Sequence, residues 1–312
     1  MISENYIKNG YYISDPILNQ KQIESLRKNL EEEFLKNNNK VQRKLNEFDN
    51  ENLIMDIIKI YRSPSIKETI KILEKNYKKK FVMLPPFEIH KNYHVNLKEF
   101  HGWHRDCGGE LNYNYCRKIL YSKNYFFSKI GVFLQKNGEY GGCIDIIKSS
   151  HKNFSKYKVI LRKLKNIPFR FIIFIHKYFN NFYNLIPESF FMFFLNAKKL
   201  NPEKSSAVFF DSRIIHRGSP ISKEKLKEVN YEKGKFQAFL PKELNKYSIY
   251  CQLGSIDSID SYFHDRLKRK NNSDELKFWI EQAKFLSKYD KNMSEEIELA
   301  LSSLKEKYKK FL

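Results

Sequence analysis

The feature that most constrains the fold is a series of short apolar runs between residues 81 and 251, separated by glycine, asparagine, serine and proline. Short runs that end at turn-forming residues are typical of strands, and several in succession indicate a sandwich or barrel. The runs are Phe81–Leu84, Phe126–Leu134, Gly142–Ile147, Ala207–Phe210, Phe236–Leu240 and Tyr247–Cys251. The middle of the chain is therefore expected to be rich in β-structure.

Helical spacing of apolar residues flanks this region on both sides. Asn19 followed by Gln22 has the pattern of a helix capping box at the start of the first such stretch. Ser63-Pro64 is expected to end a second helix, and the polar residues 35–51 are expected to form a loop. Helices are expected over residues 23–34, 53–61 and 66–73, and again over 276–286 and 297–304.

Composition narrows the class of protein. Of the 312 residues, 41% are apolar and 15% are aromatic, which is far more than a disordered basic chain carries. The formal charge of +21 comes from 57 Lys and Arg residues against 36 Asp and Glu residues. Most of these cations are lysines in a chain rich in Lys, Asn and Ile, so the charge alone does not indicate a nucleic-acid partner. No apolar run is long enough to span a bilayer.

Location and redox state follow from two further features. The first residues contain no basic segment followed by an apolar one, so a cytoplasmic location is expected. The four cysteines show neither a CxxC pair nor the spacing of a disulfide framework, so they are expected to be reduced and buried. They are Cys107, Cys116, Cys143 and Cys251.

The segment 151–200 differs from the rest of the chain. It holds ten basic residues, one acidic residue (Glu188) and thirteen aromatic residues. One interpretation is a basic, aromatic surface that makes peripheral contact with an anionic membrane or grips a lipid-linked substrate. The other is an insertion whose aromatic side chains pack on the β-rich core as a lid.

A candidate metal site is formed by His104, Asp106 and His216. His104 and Asp106 are two residues apart, and side chains at that spacing on a strand point to the same side. Two imidazoles and one carboxylate can occupy one face of an octahedral Fe(II) ion and leave three positions open. The His-x-Asp pair alone is weak evidence, so its context has to support the assignment.

That context resembles the phytanoyl-CoA dioxygenase (PhyH) family of Fe(II)/2-oxoglutarate-dependent oxygenases, over residues 6–254. The segment 6–18 resembles the family's opening, in which a Gly-Tyr strand leads into the first helix. Trp103-His104-Arg105-Asp106 is similar to its Trp-His-x-Asp metal motif. Asn137-Gly138, Gly142-Cys143 and Ser149-Ser150-His151 resemble its Asn-Gly strand and Gly-Ser-His turn, with Ser in place of Gly. The segment 208–219 resembles its distal Phe-Asp turn, second metal His and Gly-Ser.

The resemblance implies an α+β fold, a double-stranded β-helix (a cupin-like jelly roll) with N-terminal and C-terminal helices. It implies one oxygenase domain over residues 1–312. Within that domain we expect a helical region at 1–80, a jelly-roll core at 81–150 and 201–254, an insertion or lid at 151–200, and C-terminal helices at 255–312.

The sequence departs from the family in one important position. The family usually binds the far carboxylate of 2-oxoglutarate with an Arg on the strand after the distal His, and no Arg lies between Arg217 and Arg266. A Lys would have to substitute, with its charge but without the bidentate fork of Arg. We expect Lys246 together with Ser248, two residues on, in this role. Lys235 is the competing candidate.

The implied activity is that of an Fe(II)- and 2-oxoglutarate-dependent dioxygenase, with O2 as the oxidant and succinate and CO2 as products. Its substrate would be a small molecule, lipid or saccharide with an unactivated C–H bond. Because Asp106 occupies the carboxylate position, hydroxylation or a related outcome is expected rather than halogenation. Trp103, Arg105, Gln135 and Arg217 neighbour the motifs and are candidate substrate contacts.

Two alternative functions stay open at this stage. The missing Arg is compatible with a non-catalytic barrel that binds a lipid or a partner through residues 151–200. The charge and the aromatic content are compatible with an iron oxygenase that acts on nucleic acid, although the sequence gives this the least support.

Overall fold

The computed structural model describes residues 2–36, 42–92, 103–106, 109–110, 125–138, 140–152, 192–193, 196–222, 225, 230–231, 238–239, 245–260 and 273–307. Most of the segment 151–200 lies outside the described residues, as do Lys235, Cys107 and Cys116. The lid and membrane interpretations of that segment therefore stay predictions.

Helices occupy both ends of the chain, as the apolar spacing predicts. They are α1 (Ile2–Asn9), α2 (Gln20–Lys36), α3 (Glu51–Tyr61), α4 (Pro64–Tyr77), α5 (Ser273–Leu286) and α6 (Lys291–Lys307). Among the described residues, no helix is long and apolar enough to cross a bilayer.

Side-chain caps explain where these helices begin. The capping box is confirmed, since the backbone N–H of Gln22 donates to Asn19 Oδ1 at 3.0 Å and the backbone N–H of Asn19 donates to Gln22 Oε1 at 2.9 Å. Ser63 caps α4 and Pro64 takes its first position, where a missing N–H costs nothing.

The strands form two main antiparallel sheets. The strands are β1 (Tyr11–Pro16), β2 (Gln42–Lys44), β3 (Phe81–Asn92), β4 (His104–Arg105), β5 (Gly109–Glu110), β6 (Phe127–Phe133), β7 (Ile144–Ile147), β8 (Ala197–Lys199), β9 (Ser206–Asp211), β10 (His216–Gly218), β11 (Asn230–Tyr231), β12 (Ala238–Phe239) and β13 (Lys246–Ser255). The six-stranded sheet has the order β1-β9-β6-β13-β3-β2, and the five-stranded sheet has the order β5-β4-β10-β7-β8. The short strands β11 and β12 pair with each other.

Several elements differ from the prediction. Residues 35–51 were expected to form a loop, but they contain β2 and a turn of 3-10 helix, Leu45–Glu47. These residues are too polar to read as a strand, and pairing with β3 orders them. The helix α1 was not predicted because it is short, and β8 forms at the end of the segment expected to be an insertion.

The six-stranded sheet has two different faces because side chains alternate along each strand. One face packs against the helices and carries Tyr247, Ile249, Cys251 and Leu253 from β13. The other face points toward the five-stranded sheet and carries the alternate residues. The aromatic and aliphatic side chains of this second core include Phe133, Val208, Phe210, Tyr250, Ile144, Ile146 and Ile214. The candidate metal ligands lie at the edge of this inner layer.

Candidate metal centre

His104 and His216 meet across neighbouring strands of the five-stranded sheet. His216 on β10 is the direct Cα partner of His104 on β4, and side chains of paired residues leave a sheet on the same face. The two imidazole rings accordingly lie side by side, with centroids 4.4 Å apart.

Asp106 completes a group of three ligands. Its Oδ1 lies 3.6 Å from His104 Nε2 and 3.7 Å from His216 Nε2. One ligand atom from each of the three residues lies within 4.8 Å of the other two. The sequence argument placed His104 and Asp106 on one strand, but β4 ends at Arg105 and Asp106 occupies the turn that follows. The turn, rather than strand alternation, brings the carboxylate to the imidazoles.

Hydrogen bonding and burial prepare His216 to act as a ligand. Its Nδ1 lies 3.2 Å from the carbonyl oxygen of Ile214, which directs Nε2 toward Asp106. Burial lowers the pKa of His216 to about 3, so the imidazole is neutral at pH 7. A neutral imidazole has the free lone pair that a metal needs.

A chain of buried contacts fixes the segments that carry the ligands. Arg105, between the two ligands of the His-x-Asp motif, donates from Nε to the carbonyl oxygen of Arg213 at 2.7 Å. Arg213 is in turn held by Asp211, to which its Nη2 donates at 2.6 Å. These hydrogen bonds therefore connect the segment that carries His104 and Asp106 to the segment that carries His216, at a point three residues before His216.

A second buried pair supports the other side of His216. Arg217 donates from Nε to Asp145 Oδ2 at 2.8 Å, and the Ser219 hydroxyl donates to Asp145 Oδ1 at 2.7 Å. The Arg217 guanidinium also lies 4.8 Å from the centroid of the Trp103 ring. These contacts hold β10 on β7.

The four residues proposed as substrate contacts make contacts within the protein. Trp103, Arg105 and Arg217 are buried and engaged as just described. Gln135 donates to the carbonyl oxygen of Gly142 at 2.6 Å and accepts from the N–H of Tyr247 at 2.8 Å. Trp103, Arg105 and Arg217 therefore support the site from within the protein, whereas Gln135 is half-buried and also lines a surface cleft.

Lys129 is a site residue that sequence reasoning missed. It lies on the inner face of β6, with Nζ 3.8 Å from Asp106 Oδ2 and 4.7 Å from the centroid of the Tyr250 ring. Burial alone would raise the pKa of Asp106, but the charge of Lys129 and the neighbouring histidines hold it well below its ordinary value. Asp106 Oδ2 is buried and has no hydrogen-bond partner among the described residues. A lysine among strand residues was the available signal, but 46 lysines make it weak.

Lys246 and Ser248 both lie on the inner face of β13, and Ser248 is fully buried. Lys246 is only 7% exposed, and its Nζ has no hydrogen-bond partner among the described residues. Burial, helped by the charge of Lys199, lowers the pKa of Lys246 to about 7. The side chain also borders a cleft of about 300 Å³, whose other lining residues include Ile23 and Arg27 of α2 and Tyr140 but none of the three candidate metal ligands. A buried amine without an acceptor is the arrangement expected of a cation that receives an anionic ligand.

Comparison with known proteins gives only distant likenesses. No family model and no curated protein matches the chain, so membership of the phytanoyl-CoA dioxygenase family stays a prediction from its motifs. AviO1 from Streptomyces viridochromogenes Tue57 is 12% identical, with a TM-score of 0.45 over 81% of this chain and 92% of that one. SnoN, a non-heme alpha ketoglutarate dependent epimerase from nogalamycin biosynthesis, is 11% identical, with a TM-score of 0.44 over 81% and 80%.

A third structure in this set is HygX from Streptomyces hygroscopicus, crystallised with nickel and 2-oxoglutarate. It is 9% identical, with a TM-score of 0.42 over 81% of this chain and 85% of that one. At these values the likenesses do not assign an activity to this chain. The functional argument therefore rests on the residues of the site.

Proposed function

We propose that this protein is an Fe(II)/2-oxoglutarate-dependent dioxygenase. It would hydroxylate an unactivated C–H bond of a small-molecule, lipid or saccharide substrate and release succinate and CO2. The observation that carries this proposal is the convergence of His104, Asp106 and His216, whose ligand atoms lie within 4.8 Å of one another at the edge of the inner layer.

The path of the chain through the two sheets supports a double-stranded β-helix. The strands β3, β6, β9 and β13 belong to the six-stranded sheet, and β4, β7, β8 and β10 belong to the five-stranded sheet. In chain order the polypeptide crosses repeatedly from one sheet to the other, which is the winding of a jelly roll. This winding and the motifs together favour the phytanoyl-CoA dioxygenase family.

The donor set fits Fe(II). Two imidazoles, of which burial keeps that of His216 neutral, and one ionised carboxylate form the facial triad of non-heme iron oxygenases, and the set leaves positions for a co-substrate and O2. The Asp106 carboxylate is charged because Lys129 and the neighbouring histidines hold its pKa low. Its Oδ1 faces both imidazoles, whereas its Oδ2 faces the ammonium of Lys129.

Lys246 and Ser248 are our candidates for the distal carboxylate of 2-oxoglutarate, and Lys235 stays a competitor outside the described residues. A carboxylate would supply the acceptor that Lys246 Nζ lacks in the described structure. Hydrogen bonds to charged groups contribute about 1.5–3 kcal/mol each, and more where water is excluded.

When bound, Fe(II) and 2-oxoglutarate would supply the oxidising chemistry for a C–H bond. The protein contributes position and exclusion of water. His104, Asp106 and His216 would hold the metal at one place, and Lys246 would neutralise the charge of the co-substrate. The apolar side chains of the inner layer toward β7 and β9 would exclude water from that side of the site. With Asp106 present, hydroxylation is favoured over halogenation.

The test uses the weak visible charge-transfer band of an Fe(II)–2-oxoglutarate chelate, recorded without oxygen. Wild type is expected to show the band and His104→Ala to lose it. Lys246→Ala is expected to need about 10-fold to 100-fold more 2-oxoglutarate, from the loss of one charge-assisted bond, and Lys246→Arg to retain tight binding. Folded wild-type protein that binds iron but shows no band would refute the co-substrate assignment. Failure to bind iron would refute the metal assignment.

A further inference from the structure

A row of polar side chains extends from the metal ligands along the inner face of the six-stranded sheet. It begins at Lys129, whose Nζ is 3.8 Å from Asp106, and continues to the Tyr250 ring at 4.7 Å. The Tyr250 ring in turn lies 4.7 Å from the ring of His90. His90 Nε2 is 3.2 Å from Glu88 Oε2, which ends the row on β3.

Strand register explains why these residues share a face. Tyr250 on β13 is the Cα partner of Glu88 on one side and of Gly131 on the other. Lys129 is two residues before Gly131, and His90 is two residues after Glu88. Residues two apart on a strand point to the same side, so the whole row faces the layer between the sheets.

The charged members of the row remain within reach of solvent. The side chain of Glu88 is 13% exposed and that of His90 is 22% exposed, compared with 21% for both Lys129 and Asp106. Burial acts to raise the pKa of Glu88, but the bond from His90 and the charge of Lys129 outweigh it and lower the pKa. The row therefore carries an ionised carboxylate, an ammonium and an imidazole, each partly exposed, and the ammonium lies beside the candidate metal ligand Asp106.

This row differs in polarity from the rest of the inner layer. Toward β9 and β7 the same layer is built from apolar side chains, which include Phe133, Val208, Phe210, Ile144 and Ile146. Along β6, β13 and β3, by contrast, the row sets Lys129, His90 and Glu88 into this layer, and Lys129 lies beside Asp106. A molecule that approaches the metal from that side meets hydrogen-bonding groups of both signs.

We propose that Glu88, His90 and Lys129 form the subsite for the substrate, and that the substrate is a hydroxyl-rich small molecule of the saccharide or polyol class. The inference rests on the proposed function and selects among the substrate classes that it leaves open. A substrate hydroxyl group can donate a hydrogen bond to the Glu88 carboxylate and accept one from the Lys129 ammonium. These bonds would replace the hydrogen bonds to water that the two charged groups lose when the substrate binds. Each such bond fixes the orientation of the target C–H bond.

An acyl chain is disfavoured at the same place for a physical reason. It would remove water from Glu88 and Lys129 and supply no hydrogen bond in return. The penalty for one uncompensated buried polar group is about 1–3 kcal/mol, and it is larger for a charge. A site built to hydrogen-bond hydroxyl groups therefore rejects a ligand that lacks them.

The experiment measures weak binding to protein loaded with Ni(II) and 2-oxoglutarate, which cannot turn over. Saturation-transfer NMR compares two probes, methyl α-D-glucopyranoside and decanoate, on wild type, Glu88→Gln and Glu68→Gln. Glu68 lies exposed on α4, so its substitution is a matched control. Calorimetric titration with Ni(II) and then with 2-oxoglutarate reports on the metal centre of each protein separately.

We expect a signal from the glucoside in wild type and Glu68→Gln, at least a tenfold weaker signal in Glu88→Gln, and none from decanoate. Binding of decanoate alone, glucoside binding that Glu88→Gln leaves intact, or no binding of either probe by loaded protein would overturn the subsite. A protein that fails to bind Ni(II) or 2-oxoglutarate would remove the proposed function and the subsite with it.

Discussion

Replacing the buried Lys246 by methionine is expected to stabilise the ligand-free protein while it removes tight binding of 2-oxoglutarate. Burial and the charge of Lys199 lower the pKa of Lys246 from 10.5 to about 7. At about 1.4 kcal/mol per pH unit, this difference costs the charged folded form roughly 5 kcal/mol. At pH 7 about half of the folded molecules carry a neutral Lys246, so burial of this side chain lowers the free energy of unfolding at that pH by on the order of 4 kcal/mol. Methionine has a similar length and no charge, so it escapes this cost.

The sign of the pH dependence follows from the same pKa. The folded-state pKa lies below the unfolded one, so the destabilisation is full below about pH 7 and is lost as the pH rises toward 10.5. The gain in the free energy of unfolding from Lys246→Met should therefore be largest at pH 6 and small at pH 10. Urea unfolding at several pH values measures it.

The control is Lys71→Met, which replaces an exposed lysine on α4 and should change the free energy of unfolding by less than about 0.5 kcal/mol. Isothermal titration with 2-oxoglutarate on the metal-loaded proteins gives the second readout. If Lys246→Met destabilises the protein, or if its gain does not depend on pH, then the lysine has a partner in the folded protein and the burial argument is wrong.

Three further predictions concern the supports of the site. Lys129→Met should tighten Ni(II) binding about 10-fold or more in calorimetric titration, because it removes an ammonium that lies 3.8 Å from the Asp106 carboxylate and repels a divalent cation bound there, and Lys129→Arg should bind Ni(II) like wild type. Arg217→Met should lower the free energy of unfolding by about 3–5 kcal/mol, because it leaves the buried Asp145 carboxylate without its ion-pair partner; an unchanged midpoint of urea unfolding would contradict this. Gly131→Ala should cost about 1–3 kcal/mol and weaken glucoside binding, because a Cβ there would lie 2.7 Å from a ring carbon of the β13 tyrosine; unchanged stability would show that the ring moves freely.

The elements that were predictable from sequence are those whose signal is local. The cap at Asn19 and the apolar spacing after it placed α2, Ser63-Pro64 marked the end of α3, and apolar spacing alone placed α4; the apolar runs placed β6, β7, β9 and β13. Elements that depend on a partner were not visible, such as β2, which is ordered by pairing with β3.

The site was predictable to a similar extent. Motif order singled out His104, Asp106 and His216, which the structure brings together. Lys129 could not be recognised, because its role depends on the register of β6 against β13 and no local pattern records that register. The buried state of Lys246 likewise depends on how the two sheets face each other.

The two faces of the six-stranded sheet pack against different parts of the protein. Neighbouring residues on one strand are therefore under different selective constraints. On β13 the odd-numbered positions from Tyr247 to Leu253 face the helices. Substitutions at these positions should be selected by their effect on folding, and that effect should be the same in related proteins whatever their substrate. The even-numbered positions from Lys246 to Gln252 face the layer that holds the candidate metal ligands. Lys246 and Ser248 are our candidates for binding the co-substrate, so the positions left to change with the substrate are Tyr250 and Gln252. Diversity in a family of such proteins should therefore alternate between neighbouring residues at this end of the strand, and a saturation library at Tyr250 and Gln252 would search for new specificity.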